Sequence, residues 1–226
     1  MGASSAPNPQ PPLDAGEKSL RAYGIRSQRE QVLAGMLQVA SAKGYEMTTV
    51  EDVVAAAGVS RRTFDELFAN KQECFLAAYD AAIDVAIAYM STSYEAAGGE
   101  PWPDRVAAAL RALVELFSAE ADIIRMAMVE VTEMGEDPRV RYRDALVRFE
   151  QFFDEGLAYS PQGGQLPPDT ARFAVAAATA LIFDEVRAGR GRELERILPD
   201  LVYAVLMPYL GPEAAEVEMK RVAGPG

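Results

Sequence analysis

The sequence predicts an all-α fold: a small three-helix N-terminal domain built on a helix-turn-helix, followed by a larger helical domain. Three observations predict it. Apolar residues recur at helical spacing along most of the chain. Clusters of Gly and Pro cut that pattern into helix-length pieces, and no hairpin signal separates alternating runs. One stretch, from Thr49 to Phe68, reads as helix, tight turn, helix.

Residues 1–20 hold Pro7, Pro9, Pro11 and Pro12 among Ser, Gly and Ala. They offer too little apolar surface to order and read as a disordered arm. Arg21, Arg26 and Arg29 lie where it meets the first helix, so the arm is either a solvated tail or a segment that tracks a phosphate backbone or enters a minor groove. The first helix spans about 27–43, turns Val32, Met36, Val39 and Ala40 inward, and stops at Gly44. Thr49 caps the next helix, and Asp52 completes a capping box. Val50, Val53, Val54 and Ala57 follow at helical spacing. Gly58 ends that helix because it adopts a left-handed conformation at little cost. Ser60 caps the second helix, whose first turn presents Arg61, Arg62 and Thr63. Phe64, Leu67 and Phe68 bury its other face.

Further along, the pattern predicts helices over 71–96, 103–119 and 123–134, then 139–159, 168–188 and 192–210. Gly98–Gly99, Gly135, the loop 160–165 and Gly189–Gly191 separate them. The domains are therefore residues 21–71 for the helix-turn-helix and 72–226 for the larger helical body.

Composition excludes several functions. There is no His, which removes the commonest general base and metal ligand. Cys74 is alone, so no internal disulfide forms, and its apolar setting marks a buried thiol. No HExxH pair, Cys–His pair or Gly-rich phosphate loop is present, so neither an enzyme nor a cofactor is expected. No apolar run long enough for a membrane span and no signal core is expected, so elimination points to the cytoplasm, with no membrane partner.

The net charge is −12. It is unevenly placed. Up to Lys71, Lys18, Arg21, Arg26, Arg29, Lys43, Arg61, Arg62 and Lys71 balance Asp14, Glu17, Glu30, Glu46, Glu51, Asp52, Asp65 and Glu66, so the remainder carries the whole excess. A neutral head on an acidic body fits DNA binding through one end. It also predicts a modest non-specific phosphate contribution.

Gly44-Tyr45, Thr48-Thr49-Val50, Ala57-Gly58-Val59-Ser60, Thr63-Phe64 and Phe68-Ala69-Asn70-Lys71 together resemble the DNA-binding domain of the TetR family of transcriptional repressors. The resemblance runs from Arg26 to Lys71. It implies a homodimer on double-stranded DNA, a small-molecule pocket in the larger domain, and release of a near-palindromic operator when that pocket fills. It also implies phosphate contacts from Thr49, Thr63 and Lys71. Two positions depart from the family. Asp65, followed by Glu66, replaces a phosphate-gripping Tyr. Val54 replaces a smaller Ala at a tight helix crossing.

Arg61 and Arg62 occupy the turn that reads base edges, and Arg matches guanine O6 and N7. Ser60 serves as cap, as phosphate contact, or as both. Tyr45 reads as a core-edge aromatic. Asp65 and Glu66 either accept from cytosine or pair with Arg61 and Arg62. The DNA-binding candidates are thus Arg26, Thr49, Ser60, Arg61, Arg62, Thr63 and Lys71. For the pocket the candidates are Tyr89, Tyr94, Trp102, Phe117, Met126, Phe152 and Phe183, each of which fits plain core as well. Met126, Met128 and Met134 suggest an adaptable, apolar site for an unidentified effector. The dimer candidates are Phe173, Ala176, Ala180, Phe183, Leu198, Leu201 and Val205. The competing reading is a helical protein-interaction module that has lost sequence-specific DNA binding, kept open by Asp65 and Glu66.

Overall fold

Ser27 accepts from the Glu30 amide, and the Glu30 carboxylate accepts from the Ser27 amide at 2.8 Å. This capping box starts α1 (Gln28–Lys43) in the computed structural model, which describes residues 27–161 and 165–224. The N-terminal arm and Arg26 lie outside the described residues. Thr49 and Asp52 form a second capping box, which opens α2 (Val50–Ala57). Gly58, at φ 66°, closes it in the left-handed region. Ser60 caps α3 (Arg61–Leu67), and Asn70 caps α4 (Lys71–Ala96).

The three head helices close over Val32, Met36, Val53, Phe64 and Phe68, all buried. The tight crossing falls at Gly35. A Cβ there would lie 3.0 Å from both the Ala57 nitrogen and the Val53 oxygen. Val54 is only half-buried, which explains why its extra bulk beside an Ala is accommodated.

The body begins with α5 (Trp102–Ala119), opened by Pro103 in its first turn. It continues through α6 (Ala121–Met128), α7 (Glu136–Arg148), the one-turn α8 (Gly156–Tyr159), α9 (Thr170–Arg187), α10 (Leu198–Leu210) and α11 (Pro212–Ala223). No strand occurs among the described residues. Helix α5 packs between α4 and α10, and α10 packs against α9 and α11. Helix α4 is long and apolar enough to cross a membrane by length and composition, contrary to the expectation that no such run exists. Its apolar residues Cys74, Phe75, Ala78, Val85 and Met90 are closed inside the protein. Burial pushes the Cys74 thiol up to about 12, in keeping with an inert core group.

Four stretches depart from the helices expected from periodicity. The 123–134 segment starts earlier, at Ala121, and tightens into a 3₁₀ turn at Glu130–Glu133. The 139–159 segment breaks after Arg148 into a 3₁₀ turn, Glu150–Phe153, and then α8. The break lets the chain pass close over two rings: a Cβ on Gly156 would lie 2.6 Å from both Trp102 and Tyr209. Trp102 Nε1 donates to the Phe152 carbonyl at 3.3 Å and fixes the bend. The 192–210 segment is 3₁₀ from Gly191 to Ile197, and the α-helix begins at Leu198. Pro199 is the reason, since it has no N–H and is tolerated only in a first turn. The fourth departure is α11, opened by Gly211–Pro212 and tied to α5 by an Arg221–Asp104 ion pair.

Replacing Gly35 with Val forces α1 off the α2 backbone. The variant should melt at a lower temperature than the wild type by circular dichroism, with the head destabilised by roughly 1–3 kcal/mol. An unchanged melting curve would mean the crossing is looser than 3.0 Å.

Candidate nucleic-acid interface and apolar cavity

Thr49 begins the candidate interface at the N-terminus of α2. Its amide and hydroxyl both donate to Asp52 Oδ2, at 2.8 and 2.5 Å. Lys43 Nζ reaches the same oxygen at 2.5 Å. Hydrogen bonds from Lys43 and Thr49 hold the Asp52 carboxyl well below the usual carboxylate range. Ser60 Oγ accepts from the Thr63 amide at 3.0 Å and lies 2.9 Å from the Thr63 hydroxyl, so the cap role of Ser60 is met within the chain.

Arg61 and Arg62 sit side by side on the first turn of α3. Arg61 Nη1 donates to Glu51 Oε1 at 2.6 Å, and its Nε donates to Asp65 Oδ1 at 3.0 Å. Arg62 Nε donates to Glu66 Oε1 at 2.8 Å, and its side chain is 89% exposed. The carboxylates at 65 and 66 therefore pair with the arginines inside the chain, one of the two roles open to them.

Lys71 has a different setting from that of a surface phosphate contact. Its Nζ donates to the Tyr45 carbonyl at 3.0 Å and lies 4.1 Å from the centre of the Tyr45 ring. The Tyr45 ring in turn lies 4.8 Å from Phe75. Tyr45 is thus the core-edge aromatic expected, and Lys71 pins the α1–α2 turn to the start of α4.

A cavity of about 90 Å³ lies in the body between α4, α5, α6, α7 and α9. Its walls mix small and branched residues, such as Ala82, Ile83 and Ala86 from α4, Ile123, Ile124 and Ala127 from α6 and Ala145 from α7, with larger ones such as Phe149 and Phe153. The polar side chains at its edge are the hydroxyls of Tyr79, Tyr142 and Thr179, and Thr179 already donates to the Val175 carbonyl at 2.8 Å. Burial raises both tyrosines above the ordinary phenol value, with nearby Tyr142 and Asp80 adding to the effect at Tyr79. No Lys, Arg, Asp or Glu lines it. Arg141 and Arg148 on α7 clasp Asp80 and Asp84 on α4, at 3.1 and 2.6 Å, and hold α7 against α4 beside the cavity.

Of the seven pocket candidates, Phe117 alone lines this cavity. Trp102 is fully buried in an aromatic cluster with Tyr209 and Tyr159, at 5.1 and 5.7 Å between ring centres. Tyr94 packs on Phe152 at 5.8 Å and under the Arg105 guanidinium at 4.0 Å. Met126 is fully buried, and Tyr89 and Phe183 are half-buried away from the walls. Met90 and Met128 reach the cavity; Met126 and Met134 do not. The aromatics that do line it are Tyr79, Phe117, Tyr142, Phe149 and Phe153, interleaved with alanines.

One outer face of α9 stays apolar. Phe173 is 57% exposed, Ala176 and Ala180 are exposed, and Phe183 is half-buried. Beyond it, α10 shows Tyr203, Ala204 and Met207. Leu198, Leu201 and Val205, proposed for the same face, are instead covered by this chain's own helices and offer nothing to a second copy. They lie on the other side of α10, which is equally apolar.

Residues 32–78 match the family model of bacterial regulatory proteins of the tetR family. The HTH-type transcriptional regulator TcmR of Streptomyces glaucescens is 42% identical over 57 residues, a quarter of each chain. The chain therefore spans about a quarter of that curated relative's length. Solved structures cover more. The fatty acid degradation regulator FadR of Bacillus halodurans superposes with a TM-score of 0.66 at 15% identity, over 79% of this chain and 94% of that one. FadR of Bacillus subtilis, solved in complex with stearoyl-CoA, gives 0.62 at 14% identity, over 80% and 97%. A TetR-family regulator of Streptomyces coelicolor gives 0.56 at 17%, over 85% and 95%. At these identities the likeness is one of fold.

Proposed function

We propose that the chain is a TetR-family transcriptional regulator, its head matching the family model, and that it is a repressor, acting as a homodimer on a near-palindromic operator and released by an apolar small molecule. The observation that carries this reading is the position of α4 and α6. Both line the cavity, and both pack against α1 of the head. An occupant that separates α4 from α6 moves α1, and α3 moves with it. Two such heads related by a two-fold axis then change their spacing, and the operator is released.

The cavity's lining supports the class of effector. Without an ionic partner in its walls, a charged group would lose its hydration and gain nothing. The part of the effector that enters is therefore hydrocarbon, and any charged group stays outside. The stearoyl-CoA complex of the Bacillus subtilis neighbour supports a straight acyl chain as that hydrocarbon.

Dimerisation is supported by the α9 face. Ala176 and Ala180 let a partner helix approach closely, while Phe173 and Phe183 supply area. Light scattering of the wild type should give the mass of two chains. Ala180→Arg places a charge at the centre of that face and should give one. A wild type that is monomeric at micromolar concentration contradicts the dimer.

In vitro selection from a random duplex library tests the head. The wild type should enrich a near-palindrome with half-sites about one helical turn apart, and Arg61→Ala/Arg62→Ala should enrich none. Failure of both proteins to enrich any sequence favours an interaction module instead. The internal pairing of both arginines is the observation that keeps that second reading in play.

A further inference from the structure

Every cation on the described part of the head is already engaged within the chain. Lys43 pairs with Asp52 at 2.5 Å, Lys71 donates to the Tyr45 carbonyl at 3.0 Å, and Arg29 lies 5.3 Å over the Phe68 ring. Arg61 is held by two carboxylates from two helices, and Arg62 by one. From 27 to 71 the acidic side chains are Glu30, Glu46, Glu51, Asp52, Asp65 and Glu66, one more than the basic ones. Such a surface has little attraction for a phosphate lattice, since non-specific binding is almost wholly electrostatic.

The pairs leave a specific capacity intact. Arg62 spends only Nε on Glu66, so Nη1 and Nη2 remain as a free fork pointing off the end of the side chain. That end-on fork matches the O6 and N7 acceptors of guanine, which carry no net charge. A carboxylate fixed to Nε removes rotamer freedom that binding would otherwise have to remove, and it repels a phosphate that approaches the same arginine.

We infer that Asp65 and Glu66 are specificity-determining residues: they hold Arg61 and Arg62 in a charge filter that suppresses phosphate binding, and Glu66 leaves the Arg62 fork presented to base edges. The inference rests on the DNA-binding reading above. It explains why acidic side chains stand on the very helix that meets an anionic polymer. Their pairs are exposed, at 53–54% for Arg61 and Asp65 and 61% for Glu66, so each is weak enough to yield on a matched site.

The test uses the full chain and its isosteric variant Asp65→Asn/Glu66→Gln. Affinities for the selected operator and for a scrambled duplex of equal length are measured across a salt series. The scrambled duplex should bind the variant about tenfold more tightly, with the slope of log K against log salt steeper by about one, for the freed Arg62, since Arg61 keeps its pair with Glu51. The operator should gain less, so the specificity ratio falls. Glu66→Gln alone should give most of that change in slope. Equal scrambled-duplex affinity and equal slope in wild type and variant overturn the filter while leaving the repressor reading in place. A wild type that selects no operator overturns that reading and the filter with it. Circular dichroism checks that the variants keep the wild-type helix content.

Discussion

The rest of the structure depends on one helix being packed twice. At its start, Cys74, Phe75 and Ala78 of α4 are buried in one cluster with Val32, Met36 and Phe64 of the head. Farther on, Ala82, Ala86 and Met90 of the same helix bound the cavity. The Asn70 cap, the Glu73 carboxylate on the Ala69 amide at 2.7 Å, and Lys71 on the Tyr45 carbonyl bind its first turn to the head. A continuous helix of 26 residues resists bending, so on the proposed mechanism it is the element that carries a displacement from the cavity to the head. Close packing elsewhere leaves few other ways to absorb it.

Charge divides the labour differently. The body carries the excess of acid, and much of it is tied up locally. Glu185 takes both Arg190 and Arg196, and the Arg190 hydrogen bond leads in lowering its carboxyl to about 2. The head is close to neutral, with its carboxylates placed beside its cations. On the proposed reading, DNA attraction comes from a few well-aimed groups on α3 and from the doubling of α3 in a dimer. Both terms favour recognition of sequence over recognition of polymer.

The head was legible in the sequence because its structure is local. Thr49, Asp52, Gly58 and Ser60 act within three or four residues of themselves, and the observed caps and left-handed glycine are the ones their side chains dictate. The body was legible only as helices. Its bend at Gly156 answers to Trp102 and Tyr209, which are remote in sequence. Helix α11 had a local signal, Gly211–Pro212 with Lys220 and Arg221 in the last turn, that the fading of apolar periodicity hid. The pocket candidates mostly missed the cavity because large aromatics occur in both settings: Trp102, Tyr94 and Phe152 fill core, whereas Tyr79, Tyr142, Phe149 and Phe153 face the space left where Ala82, Ala86, Ala127 and Ala145 stop short. On α10 both faces are apolar, so composition could not separate buried Leu201 and Val205 from outward Tyr203 and Met207.

The central claim is that the cavity and the DNA-reading head share α4 and α6 and so cannot change independently. Fluorescence anisotropy of a labelled, selected operator in complex with the protein tests it most directly, with stearoyl-CoA titrated in and free CoA as the control. The account predicts that the acyl chain lowers the anisotropy to that of free DNA while CoA alone does not. A complex that stays intact at saturating stearoyl-CoA, while the compound raises the melting temperature of the protein, would contradict it.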